Sequence, residues 1–187
     1  MKRKTLKLKK SQSKIDPSLL DPELTILEIF GDSLIHIPPE VYGLTKLQSL
    51  QIISKNLQTI STELFHLPQL QQLKIKYGQV EHLTFSAFAS PLKTLFCTDS
   101  QLNIVDEDIF NCSSLEVLVL NANKLTTLPK NLTTLKNLRR LILDNNQLEE
   151  FPFLRSDFPK LNHLSLSGNN FSDQSKQHIF EQFKLTL

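Results

Sequence analysis

Two cysteines, Cys97 and Cys112, and five histidines, His36, His66, His82, His163 and His178, are the side chains best suited to nucleophilic or metal chemistry. A thiolate attacks or ligates only where its surroundings favour the charged form, and a metal site gathers several ligands at short, recurring intervals. No histidine here stands at ligand spacing from a cysteine or a carboxylate cluster. The acidic run Asp106, Glu107, Asp108 reads as the start of a polar return segment, and four scattered glycines make no phosphate loop. The sequence therefore predicts no enzyme, no metal, no cofactor and no small-molecule substrate.

The chemistry that remains is charge and apolar surface. Hydrophobic residues make up 40% and charged residues 21%, the balance of a folded chain. Seven of the 21 basic residues lie in residues 1–14, which hold no acidic one, so the net charge of +2 belongs to this arm and the body is mildly acidic. Clustered Lys and Arg attract polyanions, which makes the arm a candidate for nucleic acid or anionic lipid. It has no aromatic residue for stacking on bases, so nucleic acid is disfavoured, and protection of an open strand edge accounts for the charge better.

No apolar run approaches the roughly 18 to 20 residues that cross a bilayer. Nor does an apolar stretch of about 7 to 15 residues follow the basic start, as a secretory signal needs. With two cysteines and no disulfide-rich ends, the expected compartment is reducing. The reading is a cytoplasmic protein, or one exported by a route that uses no N-terminal signal peptide.

The elements that position the surface follow from a repeat. From Leu115 the chain reads LEVLVLNANKLTTLPKNLTTLKN, and from Leu138 LRRLILDNNQLEEFPFLRSDFPK, a spacing of 23. With the first leucine as position 0, apolar residues fall at 3, 5, 10, 13, 17 and 20, with Asn at 8 and Pro at 14. The same register starts units at Leu24, Leu47, Leu70, Leu92 and Leu161, making seven, all spaced by 23 except the step of 22 after Leu70. Positions 3 and 5 share one side of a short strand, because side chains alternate across it. One unit cannot cover its own apolar groups, whereas stacked units bury them, at about 1.5 to 3 kcal/mol per Leu or Ile.

Asparagine at position 8 both donates and accepts, so it can satisfy backbone groups where the chain leaves the strand. This ladder runs Asp32, Lys55, Gly78, Ser100, Asn123, Asn146, Asn169, sound in the C-terminal half and degenerate before it. Neighbouring Asn56 is a candidate substitute for Lys55.

The pattern LxxLxLxxNxLxxLP, from Leu115 to Pro129 and from Leu138 to Pro152 with Phe151 for its last leucine, resembles the 23-residue leucine-rich repeat family. Among its members the small bacterial proteins of the leptospiral type look most similar. The resemblance implies an α/β solenoid, a right-handed β-α superhelix with a parallel sheet on the concave face and short helical or irregular segments on the convex face. Cys97, Thr98 and Asp99 also match the Cys-x-Asp motif of bacterial ubiquitin-ligase effectors that carry such repeats. Cys97 stands at core position 5 and Cys112 at core position 20, however, so both read as structural.

The expected organisation is a single domain: an irregular N-terminal cap over residues 1–23, seven repeats over 24–171, and a C-terminal capping helix and strand over 172–187. Leu6 and Leu8 alternate with lysines as in a charged first strand, with Ile15, Leu19 and Leu20 behind it out of register. Ser172 is placed to cap a helix from about Asp173 to Phe183, whose Ile179, Phe180 and Phe183 form an apolar face, and Leu185 and Leu187 alternate as a last strand would.

In this fold positions 2, 4, 6 and 7 project from the concave face. Position 4 supplies Lys74 and then Phe96, Val119 and Ile142 in succession, position 6 supplies Phe30, Ile53 and Lys76, and position 7 adds Tyr77. Phe96, Val119 and Ile142 should form one exposed apolar stripe, with Phe30 and Ile53 a second patch. The short unit carrying Lys74, Lys76 and Tyr77 reads as a tolerated irregularity that also offers a basic, aromatic contact point. The expected function is non-catalytic binding of a partner protein, or of a second copy, on this surface. The alternatives are polyanion binding through the basic N-terminus, or the recognition part of a bacterial effector. The closing helix and strand after Phe171 argue against the latter.

Overall fold

A computed structural model describes the chain except Lys10, Ser11, Ser13 and Ala87, so part of the basic arm lies outside the described residues. Eight parallel strands form one sheet: β1 (Arg3–Lys7), β2 (Ile26–Phe30), β3 (Ser49–Ile53), β4 (Gln72–Lys76), β6 (Thr94–Thr98), β8 (Val117–Val119), β9 (Arg140–Ile142) and β10 (His163–Ser165). Two short strands, β5 (His82–Leu83) and β7 (Ile104–Val105), pair beside it. The strands pair in sequence order, because each unit returns its chain to the next rung after one short crossover.

The register follows the repeat. Leu50 pairs with Leu73 and Ile52 with Ile75, then Leu73 with Leu95 and Ile75 with Cys97 across the short unit. Positions 3 and 5 are sealed in the core, including Leu27, Ile29, Leu118, Leu120, Leu141 and Leu143. Return segments form short 3-10 turns at Pro39–Gly43, Thr62–His66, Glu107–Cys112, Lys130–Thr134 and Arg155–Asp157. Pro38 and Pro129 lead into two of these with φ of −61° and −63°, while the Ser61 hydroxyl and Asp106 carboxylate accept from the Glu63 and Asp108 amides at 3.3 and 3.0 Å in two others.

The asparagine ladder is built as its chemistry requires. Asn123 accepts from the Leu102 amide at 3.1 Å and donates to the carbonyls of Cys97 and Leu120 at 2.7 and 2.9 Å. Asn146 and Asn169 repeat the arrangement one and two units on. In the N-terminal half, Ser54 donates to the Leu34 carbonyl at 2.9 Å and Asn56 to that of Asp32 at 2.6 Å, so substitutes hold single carbonyls in place of the full set.

One residue before the rung in the five later units, at position 7, the backbone turns left-handed: Tyr77 (φ 65°), Asp99 (52°), Ala122 (55°), Asn145 (54°) and Gly168 (69°). Gly168 is the one place in this row where a Cβ would also collide, with Asn145 Oδ1.

The ends differ from expectation in three respects. The strand at the N-terminus joins the main sheet in the same 23-residue step, Leu6 beside Ile29 and Lys4 beside Leu27, so the cap is a continuation of the register. Lys4 at a core position hides that continuation from hydropathy. Helix α1 (Asp173–Phe183) forms, with the Ser172 hydroxyl accepting from the Ser175 amide at 3.2 Å, but Phe180 is 47% exposed and outside its apolar face. Ile179 is buried and Phe183 packs edge-on against Phe151 at 5.4 Å. Leu185 and Leu187 pack on the core without forming a strand, after Lys184 ends the helix in a left-handed conformation (φ 56°).

The unit from Leu70 absorbs its missing residue in the loop after Leu83. Phe85 tucks against Phe65 at 5.0 Å, and Ser86 bonds His66 and, through its carbonyl, the Asn111 amide at 2.9 Å. The shortened return is pinned from both neighbouring units, which fits the tolerated irregularity.

Candidate concave binding face

On the face opposite the core, two rows of side chains run across the strands. The first is Glu28, Gln51, Lys74, Phe96, Val119, Ile142 and Ser165, each in cross-strand register with the next. The second begins Phe30, Ile53, Lys76, Thr98. Phe30, Ile53, Lys74, Lys76, Phe96 and Ile142 are half-buried and Tyr77 is 44% exposed.

Val119 departs from expectation. It is only 4% exposed, yet it stands apart from the core cluster that holds Leu118 and Leu120. Its cover comes from the concave side, where the larger side chains of Phe96 and Ile142 flank it in register. The exposed stripe is therefore Phe96 and Ile142, with Val119 as the floor between them.

A hollow of about 300 Å³ opens where the two rows meet, lined by Ile53, Lys74, Lys76, Phe96, Val119 and Asn121 among others. It gathers five of the residues singled out by sequence, while Phe30, Tyr77 and Ile142 lie outside its lining. The Lys74 ammonium sits 5.1 Å from the centre of the Phe96 ring, and that of Lys76 4.6 Å from the Tyr77 ring. The Tyr77 hydroxyl and the Asp99 carboxylate, 3.7 Å from Lys76, hold the Lys76 ammonium above its usual pKa range.

Sequence reasoning missed the ion pairs of this face. Thr5 and Arg3 hydrogen-bond Glu28 at 2.8 and 2.6 Å and lower its pKa, and Asp144 accepts from the Ser165 hydroxyl at 2.7 Å and the Ser167 amide at 2.7 Å. Opposite charges one unit apart, as in Lys76 and Asp99, were the available signal. In the basic arm, Lys2 and Arg3 are engaged with Asp21 and Glu28, which leaves less free charge for a polyanion than the composition implies.

The cysteines are set against chemistry. Cys97 and Cys112 are both free and buried, and burial pushes both thiols up to about 12. The Cys-x-Asp match therefore places its sulfur in the core, with Asp99 turned to Thr98 and Lys76.

Residues 90–148 match the model described as leucine rich repeat, and residues 136–177 that described as leucine rich repeats in two copies. The chain is a leucine-rich repeat protein. It superimposes over 88% of its length on an internalin from Listeria monocytogenes, with a TM-score of 0.67, 19% identity and 47% of that chain covered. A leucine-rich repeat protein from Leptospira interrogans matches 87% of it with a TM-score of 0.53, 23% identity and 54% coverage. A chain of the PEPR1-AtPEP1 crystal structure matches 83% with a TM-score of 0.62, 27% identity and 26% coverage. The leucine-rich repeat protein thus spans about half the length of the two bacterial chains and about a quarter of the third. No curated protein matches the sequence. No helix among the described residues is long and apolar enough to cross a membrane.

Proposed function

We propose that this leucine-rich repeat protein is a non-catalytic module that docks a partner protein against its concave sheet, with Phe96 and Ile142 as the apolar contacts and Ile53, Lys74, Lys76 and Tyr77 beside them. The leucine-rich repeat fold is in general a protein-interaction scaffold, and this reading follows from it. The observation that carries it is the hollow on the concave face, where apolar side chains on neighbouring strands meet with no segment of the chain laid over them among the described residues. Strands fix these side chains before a partner arrives, so little ordering entropy is lost on docking.

The test is the double variant Phe96→Asp, Ile142→Asp. Neither side chain belongs to the core cluster, so the variant should still unfold in one cooperative urea transition, with a midpoint lowered only by the uncovering of Val119. Partners retained by the parent from native lysate should be lost, as should any dimer seen by sedimentation. Retention of both by a folded variant would move the contact elsewhere.

A further inference from the structure

Resting on that reading, we infer that the occupant of the concave face is an acidic peptide segment of a partner protein, flanked by apolar residues, with a carboxylate seated at Lys74 and the apolar side chains on Phe96, Val119 and Ile142.

The charges of the face are not symmetrically satisfied. Each of its three strand-borne or strand-end carboxylates already has a partner on the same side: Glu28 with Arg3 and Thr5, Asp99 with Thr98 and Lys76, and Asp144 with Ser165 and the Ser167 amide. Lys74 is the exception. It is half-buried in the hollow, with no hydrogen bond or ion pair among the described residues, and its ammonium stands 5.1 Å from the centre of the Phe96 ring. Glu28 lies two strands away behind Gln51 and feels the lysine only through space.

Lys76, Lys7 and Arg140 add positive charge on strand positions of the same side, and neither Lys7 nor Arg140 has an ion pair among the described residues. A basic ligand would be repelled here. A wholly apolar one would strip water from Lys74 and return nothing, which is unfavourable for a charged group. A carboxylate restores the lost solvation and adds a charge-assisted hydrogen bond in a partly desolvated place.

Spacing fixes the rest of the pattern. Ile142 lies three strands from Lys74, about 14 Å at the usual separation of paired strands, which an extended peptide covers in about four residues. The ligand should therefore carry Asp or Glu at one position and bulky apolar residues over the next four.

A displayed library of random dodecapeptides, selected on the intact chain, tests this. Selected peptides should carry Asp or Glu beside apolar residues, weaken at least tenfold on Lys74→Glu and on the Phe96→Asp, Ile142→Asp variant, and weaken further as salt rises. Peptides without acidic residues, or acidic ones that bind Lys74→Glu unchanged while failing on the Phe96, Ile142 variant, overturn the acidic occupant and leave concave docking standing. Peptides that bind the Phe96, Ile142 variant unchanged overturn both. A library that yields no binder, or a chain that dimerises through this face and is not displaced by the selected peptides, also overturns the inference.

Discussion

Asn146 reaches back 26 residues to donate its side-chain amide to the Leu120 carbonyl at 3.0 Å, and its oxygen accepts from the Leu125 amide at 3.1 Å. It thereby ties two consecutive units at a point where neither backbone group has a sheet partner. Removing it with Asn146→Ala leaves the buried Leu125 amide unpaired, at about 1 to 3 kcal/mol, while the Leu120 and Leu143 carbonyls keep Asn123 and Asn169. The variant should lower stability by about 1 to 3 kcal/mol in urea unfolding. Asn56→Ala, whose exposed side chain holds one carbonyl, should lower it by under about 1 kcal/mol.

Tyr77 occupies a left-handed backbone with φ of 65°, where a Cβ is disfavoured by about 1 to 2 kcal/mol. Tyr77→Asn, a residue that tolerates this region, should leave thermal stability unchanged or raised. Tyr77→Val, branched at Cβ, should lower it by about 1 to 2 kcal/mol. A loss on both would show that the ring's contact with Lys76 outweighs backbone strain.

Glu28 carries a pH signature. Thr5 and Arg3 lower its pKa in the fold, so its contribution is present above the pKa of the unfolded chain and disappears as pH falls through the lower folded value. Stability should therefore decline from about pH 5 downward, and Glu28→Gln should flatten that limb. An unaltered acid limb, followed by thermal midpoints from pH 7 to 3, would assign it to other carboxylates.

Cys97 and Cys112 should resist alkylation at pH 8, since burial holds both thiols near 12. Iodoacetamide should modify them only as fast as the chain opens, with urea accelerating both together. Fast labelling of either in the native chain would contradict its buried position.

How far the sequence reaches is clearest where it fails. Leu118 and Leu120 were legible as core because every unit repeats them, and the strand alternation then turned Val119 outward. Its burial was not legible, because cover by Phe96 and Ile142 depends on side-chain size across three units. β1 was legible as a strand from Leu6 and Leu8, but its place in the 23-residue register hid behind Lys4, whose charge at a core position broke the apolar count although the backbone kept step. Phe180 and the tail after it were misread for another reason. Helical and strand periodicities describe one element at a time, and neither records whether a neighbour exists to receive the face.

The asparagine rungs have a mechanical corollary. Asn123, Asn146 and Asn169 each staple one coil to the coil before it, whereas Ser54 and Asn56 hold single carbonyls. The later coils are thus tied to their predecessors by a full set of side-chain bonds and the earlier ones by single bonds. A guest seated on Lys74 and Ile142, as proposed, would span the change from single to full rungs.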